Sequence, residues 1–186
     1  DFILQFEGFK ANPYWPQGKS GVTIGIGYDL GYTTIDTFES DWGSYFSLEI
    51  LRRLDQAVGL TAIAARNLCA RLQDIRIRRQ DAEQVLQFRS LPRYASKTEF
   101  AFPGVDQLPQ DCQTALISLV YNRGESLVGE RRTEMAAIHD AVPQQNLQEI
   151  VKQLQSMKRL WIGRPELEGL LRRRDAEAAL VVSCIA

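Results

Sequence analysis

Hydrophobic positions along the chain change period near residue 48. Phe2, Ile3, Phe6 and Phe9 recur at helical spacing, which predicts a short helix over residues 1–10. Asn12, Pro13, Pro16 and Gly18 then interrupt any regular pattern. In GVTIGIGYDLG, residues 21–31, Val22, Ile24, Ile26 and Tyr28 alternate with Thr23, Gly25, Gly27 and Asp29. That period of two predicts a strand or hairpin with one apolar face and one small, polar face. Residues 32–47 are rich in Thr, Ser, Asp and aromatics and read as a connecting loop.

From Leu48 the pattern is helical. LEILRRLDQAV, TAIAARNLCARLQ and the stretch from Gln80 to Lys97 each carry a 3.6-residue period. FPGVDQLPQ breaks it. A helix starting near Asp111 then runs to Gly124, a natural residue just past a helix end. TEMAAIHDAV, NLQEIVKQLQSMKRL and ELEGLLRRRDAEAALVV complete the set. The expected fold class is α+β, one domain with a small β lobe (about 11–47) and a helical lobe (about 48–186, plus helix 1–10).

Composition narrows the function classes. The 186 residues are 45% hydrophobic and 24% charged, an ordinary globular balance. Twenty-two basic and 23 acidic side chains give a net charge of −1, without the basic excess of a polyanion-coating protein. Nucleic acid is therefore not the expected partner. No apolar run approaches the roughly 18 residues of a membrane span. The chain starts at Asp1 with no visible signal peptide, as expected of a domain excised from a longer protein. Cys69, Cys112 and Cys184 have neither zinc-site spacing nor an even count, so three buried thiols are the expectation, with one bridge plus a free thiol the alternative. With His139 the single histidine, a Ser-His-Asp triad is not expected. His139 itself reads as a helix surface residue.

Glu7 is the first candidate for chemistry. On a helix it would sit beside Ile3, Leu4 and Phe6, where partial desolvation favours the protonated acid. A carboxylic acid of that kind suits general-acid catalysis at an acetal oxygen. The plain alternative is an ordinary helix flank. On the hairpin, Gly25 and Gly27 would leave a bare patch between Thr23 and Asp29 where a ligand can approach the backbone. The alternative is glycines that serve a turn or bulge. A straight strand would separate Thr23 from Asp29 by roughly 20 Å, so they can share one centre only if the chain bends between them.

FEGF, an interrupted loop, then TIGIGYDLG resemble the start of the phage-type lysozymes, the muramidases that cleave peptidoglycan glycan. LPQDCQTALISLVYNRG, RRTEM, SMKRLW and GLLRRRDAEAAL extend the resemblance over most of the chain. It is closest to the pesticin-like branch of bacteriocin and secreted antibacterial effector domains, whose hairpin reads T-x-G-x-G-Y-D, as Thr23 to Asp29 do. The resemblance implies a lysozyme-like fold with an active-site cleft between the lobes. It implies Glu7 as the acid, Asp29 as the catalytic carboxylate and Thr23 as the water-positioning hydroxyl, with Gly25, Gly27 and Tyr28 lining the substrate. Where phage-type enzymes carry an Asp after the Glu, this chain has Pro16, and Tyr28 stands where they often carry His.

Tyr14 and Trp15 are candidates to stack on sugar rings, with lobe packing the alternative. Tyr121, Asn122 and Arg123 read as structural, and the runs Arg76–Arg78–Arg79, Arg131–Arg132 and Arg172–Arg173–Arg174 as solvated faces or ion pairs. Asp36, Asp41 and Asp55 are carboxylates without a distinguishing context. The resemblance implies a bacteriolytic muramidase acting on peptidoglycan in the periplasm or wall. It further implies no cofactor or metal, no membrane insertion, a monomer and an immunity protein as partner. The rivals are a lytic transglycosylase using Glu7 alone, a catalytically degenerate glycan-binding module, and a structural or interaction domain.

Overall fold

A computed structural model describes residues 2–185. Asp1, the first residue of the expected N-terminal helix, lies outside them. The chain forms two compact units, Glu7–Ser90 and Asp1–Phe6 with Leu91–Ala186. The unit bearing the sheet thus runs on to Ser90 instead of ending near residue 47.

The Glu7–Ser90 unit is built on three antiparallel strands in the order β1 (Phe9–Tyr14), β2 (Thr23–Ile26) and β3 (Tyr28–Asp29). The expected helix over residues 1–10 is reduced to a 3-10 turn, Ile3–Gln5, and Phe9 already belongs to β1. Phe2 and Phe6 meet at a ring separation of 5.2 Å, so their helical spacing marks a local cluster. Asn12 and Pro13 do not break the pattern; they lie within β1, where the register shifts between Lys10 and Tyr14. Pro is tolerated on such an edge because its missing N–H is not needed by a neighbouring strand. Residues 73–77 cover that edge. Ile77 N donates to Ala11 O at 2.8 Å, Asn12 Nδ2 to Gln73 O at 2.7 Å and Gln73 Nε2 to Pro13 O at 2.7 Å.

The segment expected to be a loop, 32–47, contains helix α1 (Ile35–Trp42), capped by the Thr34 hydroxyl accepting from Thr37 N. Helical spacing brings Phe38, Asp41 and Trp42 to its buried side. Helices α2 (Leu48–Asp55), α3 (Ala62–Cys69) and α4 (Arg79–Val85) follow, with a π turn at Leu86–Ser90. Every residue of β2 is buried, so Thr23 and Gly25 of the expected polar face are covered, whereas Gly27 and Asp29 beyond the strand are half-buried. Trp42 stacks on Phe46 at 5.2 Å and meets Tyr28 edge-on at 5.7 Å. Burial of one such aromatic stabilises by about 2–3 kcal/mol.

The other unit packs α5 (Leu91–Ala101), α6 (Gln110–Arg123), α7 (Thr133–Ala141), α8 (Leu147–Ser156) and α9 (Glu168–Val182). Gly124, at φ 74°, ends α6 in a conformation that a Cβ disfavours. Cys112, Ala115, Leu116, Leu119 and Val120 of α6 are wholly buried against Met135, Ile138, Ile150, Leu154 and Val181. Of the two readings of Arg173 and Arg174, ion pairing holds and solvation does not. Both are buried around Glu177, whose Oε1 accepts from Ser118 Oγ at 2.6 Å and Arg174 Nη2 at 2.7 Å. Burial lowers the Arg174 pKa to about 10, while the nearby Glu177 carboxylate opposes the shift. His139 is half-buried, its Nδ1 2.7 Å from Ala101 O, and so links α7 to the end of α5. By contrast, Arg78 and Arg79 are exposed and paired with Asp81 and Glu83, as the sequence suggests.

Candidate active site

The turn at Gly27 brings the two polar ends of the hairpin together. Thr23 of β2 pairs directly with Asp29 of β3, and on its other side with Tyr14 of β1. Directly paired residues of an antiparallel sheet project from the same face, so Tyr14, Thr23 and Asp29 form one row. Gly27 has φ 68°, the left-handed conformation this turn requires.

Asp29 is half-buried and held by backbone. Its Oδ1 accepts from Gly31 N at 2.8 Å and Gly21 N at 3.0 Å; Oδ2 has one longer contact, 3.2 Å from Gly21 N. Gly21 and Gly31 are required for this cradle. A Cβ on Gly21 would strike Asp29 Oδ1 and the Gly31 backbone, and one on Gly31 would lie 2.6 Å from Leu60 O. Burial raises the Asp29 pKa from the ordinary aspartate value, and the Gly31 and Gly21 amides oppose the shift without cancelling it. The result is a carboxylate fixed in orientation and more basic than an exposed one. Thr23 is 3% exposed, and its Oγ1 has no hydrogen-bond partner among the described residues. An unmet buried hydroxyl beside a carboxylate is suited to holding a water.

Glu7 lies in a bend between the 3-10 turn and β1, half-buried, and opens the unit that carries the sheet. It is not on a helix, so the environment expected from Ile3 and Leu4 does not apply. Its relation to Asp29 is visible at Tyr14. Burial first, then the charges of Glu7 and of Asp29, raise the phenol's pKa. Tyr14 therefore lies within electrostatic reach of both carboxylates. Trp15, next along the chain, is half-buried; its Nε1 donates to Ser20 O at 3.0 Å and Arg66 lies over its ring.

Two expected substrate residues belong to the core instead. Gly25 is buried with φ 59°, and an added Cβ would lie 2.8 Å from Ala82 Cβ and 3.2 Å from Trp42. Its missing side chain makes room for protein, not for a ligand. Tyr28 is 8% exposed and packs on Phe38 and Trp42, with its hydroxyl donating to buried Asp41 Oδ2 at 2.8 Å. That bond gives Asp41 a structural context the sequence did not supply. Asp36 is exposed in the first turn of α1, and Asp55 is half-buried, its pKa raised by desolvation. Tyr121 meets Tyr94 at a 45° tilt with ring centroids 4.5 Å apart, and Arg123 lies over Trp161, in keeping with structural roles. A groove of about 520 Å³ lined by Phe100, Glu125, Leu127, Val128 and Arg132 holds none of the expected site residues.

Sequence reasoning missed the Gly21–Gly31 cradle. Its signal was present as glycines on either side of the T-x-G-x-G-Y-D run.

A short antiparallel sheet bearing a polar row and a separate set of packed helices give the α+β, lysozyme-like architecture. The chain belongs to the family described as "Pesticin: Bacterial toxin homologue of phage lysozyme, C-term", which matches residues 1–140. The match includes Glu7, Tyr14, Thr23 and Asp29; α8 and α9 lie beyond it. No curated protein matches the chain.

Proposed function

We propose that the protein is a muramidase that hydrolyses the β-1,4 bond between N-acetylmuramic acid and N-acetylglucosamine in peptidoglycan. Glu7 protonates the leaving oxygen. Asp29 accepts a proton from a water held by Thr23, and that water attacks the anomeric carbon from the opposite face of the sugar. This is the inverting arrangement, which needs the two carboxyls roughly 6.5–9.5 Å apart.

The observation that carries this reading is the Tyr14–Thr23–Asp29 row. It puts an oriented, partly desolvated carboxylate beside an unpartnered hydroxyl. Asp29 Oδ2, with its single long contact, keeps capacity to accept from a water. Glu7 and Asp29 both influence Tyr14, which supports assigning them to one centre. Tyr14 and Trp15 supply aromatic surface beside it for a sugar ring. No step calls for a metal or organic cofactor. The protein acts as a monomeric bacteriolytic toxin, secreted or delivered to the periplasm or wall of a target cell, and an immunity protein protects the producer.

The test is dye release or turbidity loss from purified peptidoglycan, wild type against Glu7→Gln, with mass analysis of the products. Reducing muramic acid ends and an inactive variant are expected. Products ending in 1,6-anhydro sugar would replace hydrolysis by transglycosylation. Wall binding without turnover would make the chain a glycan-binding module.

A further inference from the structure

The groove of about 520 Å³ lies within the helical unit. Phe100 and Ala101 of α5, residues 124–128 after α6, and Arg132 line it. Phe100 is 80% exposed and Val128 87% exposed. An added Cβ on Gly124 would meet nothing within 4 Å, so the backbone there is open as well. Single exposed apolar residues are ordinary, but these two share one concavity with a guanidinium.

The charges around that guanidinium are out of balance. Glu125, the carboxylate of the lining, is engaged by Lys97, whose Nζ lies 3.2 Å from Oε1. Glu134 of α7 is engaged by Arg159. Arg132 pairs with neither, and its buried Nη1 has no hydrogen-bond partner among the described residues. Arg131 and Arg123 add two more cations, joined where Arg123 Nη2 donates to Arg131 O at 2.6 Å. Arg123 Nε also lacks a partner among the described residues. Burial, then the Arg131 charge, lower the Arg132 pKa, and Glu125 opposes the shift. A guanidinium nevertheless stays charged at neutral pH, so this place lacks an anion.

We propose that the groove docks a segment of a partner protein in which a large apolar side chain neighbours a carboxylate. The apolar side chain covers Phe100 and Val128, and the carboxylate accepts from the Arg132 guanidinium. A free anion would leave the apolar residues uncovered. A small molecule would gain little, because ligand sites enclose most of their ligand and these side chains are too exposed to do so. A polypeptide carries both groups on adjacent residues and continues across the surface, and arginine with exposed aromatic surface is the usual anchor of such contacts. The inference does not rest on the muramidase reading.

The experiment titrates 15N-labelled protein with the peptide acetyl-Gly-Leu-Asp-Leu-Gly-amide, with its Asn counterpart and with sodium acetate. Millimolar Asp peptide should shift the amides of Gly124, Ser126 and Val128, and the Asn peptide should bind about tenfold more weakly. Arg132→Gln should bind both peptides alike, since the carboxylate then has no cation to pair with. Val128→Asp should weaken the Asp peptide through like charge and lost apolar contact, with an unchanged melting curve, because the position is solvent-exposed. Unmoved amides with millimolar peptide would overturn the proposal, as would equal affinity of wild type for the two peptides or undiminished binding by Val128→Asp. Equal shifts with acetate would reduce the groove to an ion site. Tighter binding of soluble muropeptides would give it to the wall, and concentration-dependent shifts without peptide would give it to a second copy of the chain; each of these results also overturns the proposal.

Discussion

Thr23 stands directly opposite Asp29 in the β2–β3 ladder. A straight strand would hold these side chains far apart. The turn at Gly27 places an unpartnered hydroxyl beside a carboxylate whose other contacts are backbone amides.

Glu7→Gln should remove at least two orders of magnitude of turnover, because general acid catalysis contributes about 10²–10⁴-fold. Its melting curve should stay near wild type, since Gln keeps the shape of the side chain. Turnover within a few-fold of wild type would sink the acid assignment.

Asp29→Asn should be about as damaging to turnover as Glu7→Gln, whereas Thr23→Ala should cost less because the base remains. Asn retains an oxygen for the Gly21 and Gly31 amides, so the hairpin should persist, as a circular dichroism spectrum can check. Full activity in Asp29→Asn would move the base role to another carboxylate.

The raised pKa of Asp29 fixes two pH dependences. As the base must be ionised, kcat/KM should fall on the acid side at a pH above the ordinary aspartate range. For stability, a folded-state pKa above the unfolded one gives a contribution fully present below the unfolded value. That contribution is lost as pH rises through the folded value. At neutral pH the ionised Asp29 therefore costs stability, and Asp29→Asn should melt higher than wild type. The gain should vanish as pH falls below the ordinary aspartate range. A Tm difference independent of pH would contradict the desolvation account.

Gly25→Ala should destabilise the fold and leave no soluble, normally melting protein with blocked substrate binding. Both the φ of 59° and the approach to Ala82 oppose a side chain there. A residue forced into that region costs about 1–3 kcal/mol before any steric contact is added. Gly18→Ala is the comparison, because Gly18 has φ 62° with nothing within 4 Å of an added Cβ. The excess Tm loss at Gly25 measures the contact; equal losses would refute it.

Glu177→Leu should destabilise by about 3–5 kcal/mol, since it strands buried Arg173 and Arg174 without their anion. Urea denaturation reads this directly. Near-neutral behaviour would mean that the arginines reach water once Glu177 is gone.

Much of this was legible in the sequence where the cause is local. Helical periods after Leu48, the stop at Gly124 and the period-two hairpin depend on neighbours a few residues apart, and the structure contains them. Helix α1 escaped notice because its capping Thr34 sits in a polar, aromatic-rich stretch where three buried positions, Phe38, Asp41 and Trp42, are too few to show a period. The helix expected over residues 1–10 failed for the opposite reason: a cluster of Phe residues imitates a period without requiring one.

At the site, sequence alone determined which residue types were available: a Glu before a Gly, a Thr and an Asp around two glycines, and the resemblance these carry. Tertiary structure decided what each one faces. Gly25 and Tyr28 look like cleft residues until α1 and α4 bring Trp42, Asp41 and Ala82 against them. Arg173 and Arg174 read equally as solvated or as paired with an acid on their own helix; the pairing with Glu177 is local, and only the packing of α6, which adds Ser118, decides that the group is buried. Local propensity and pairing along one helix reach only a turn or two along the chain, whereas burial depends on partners that only folding brings near.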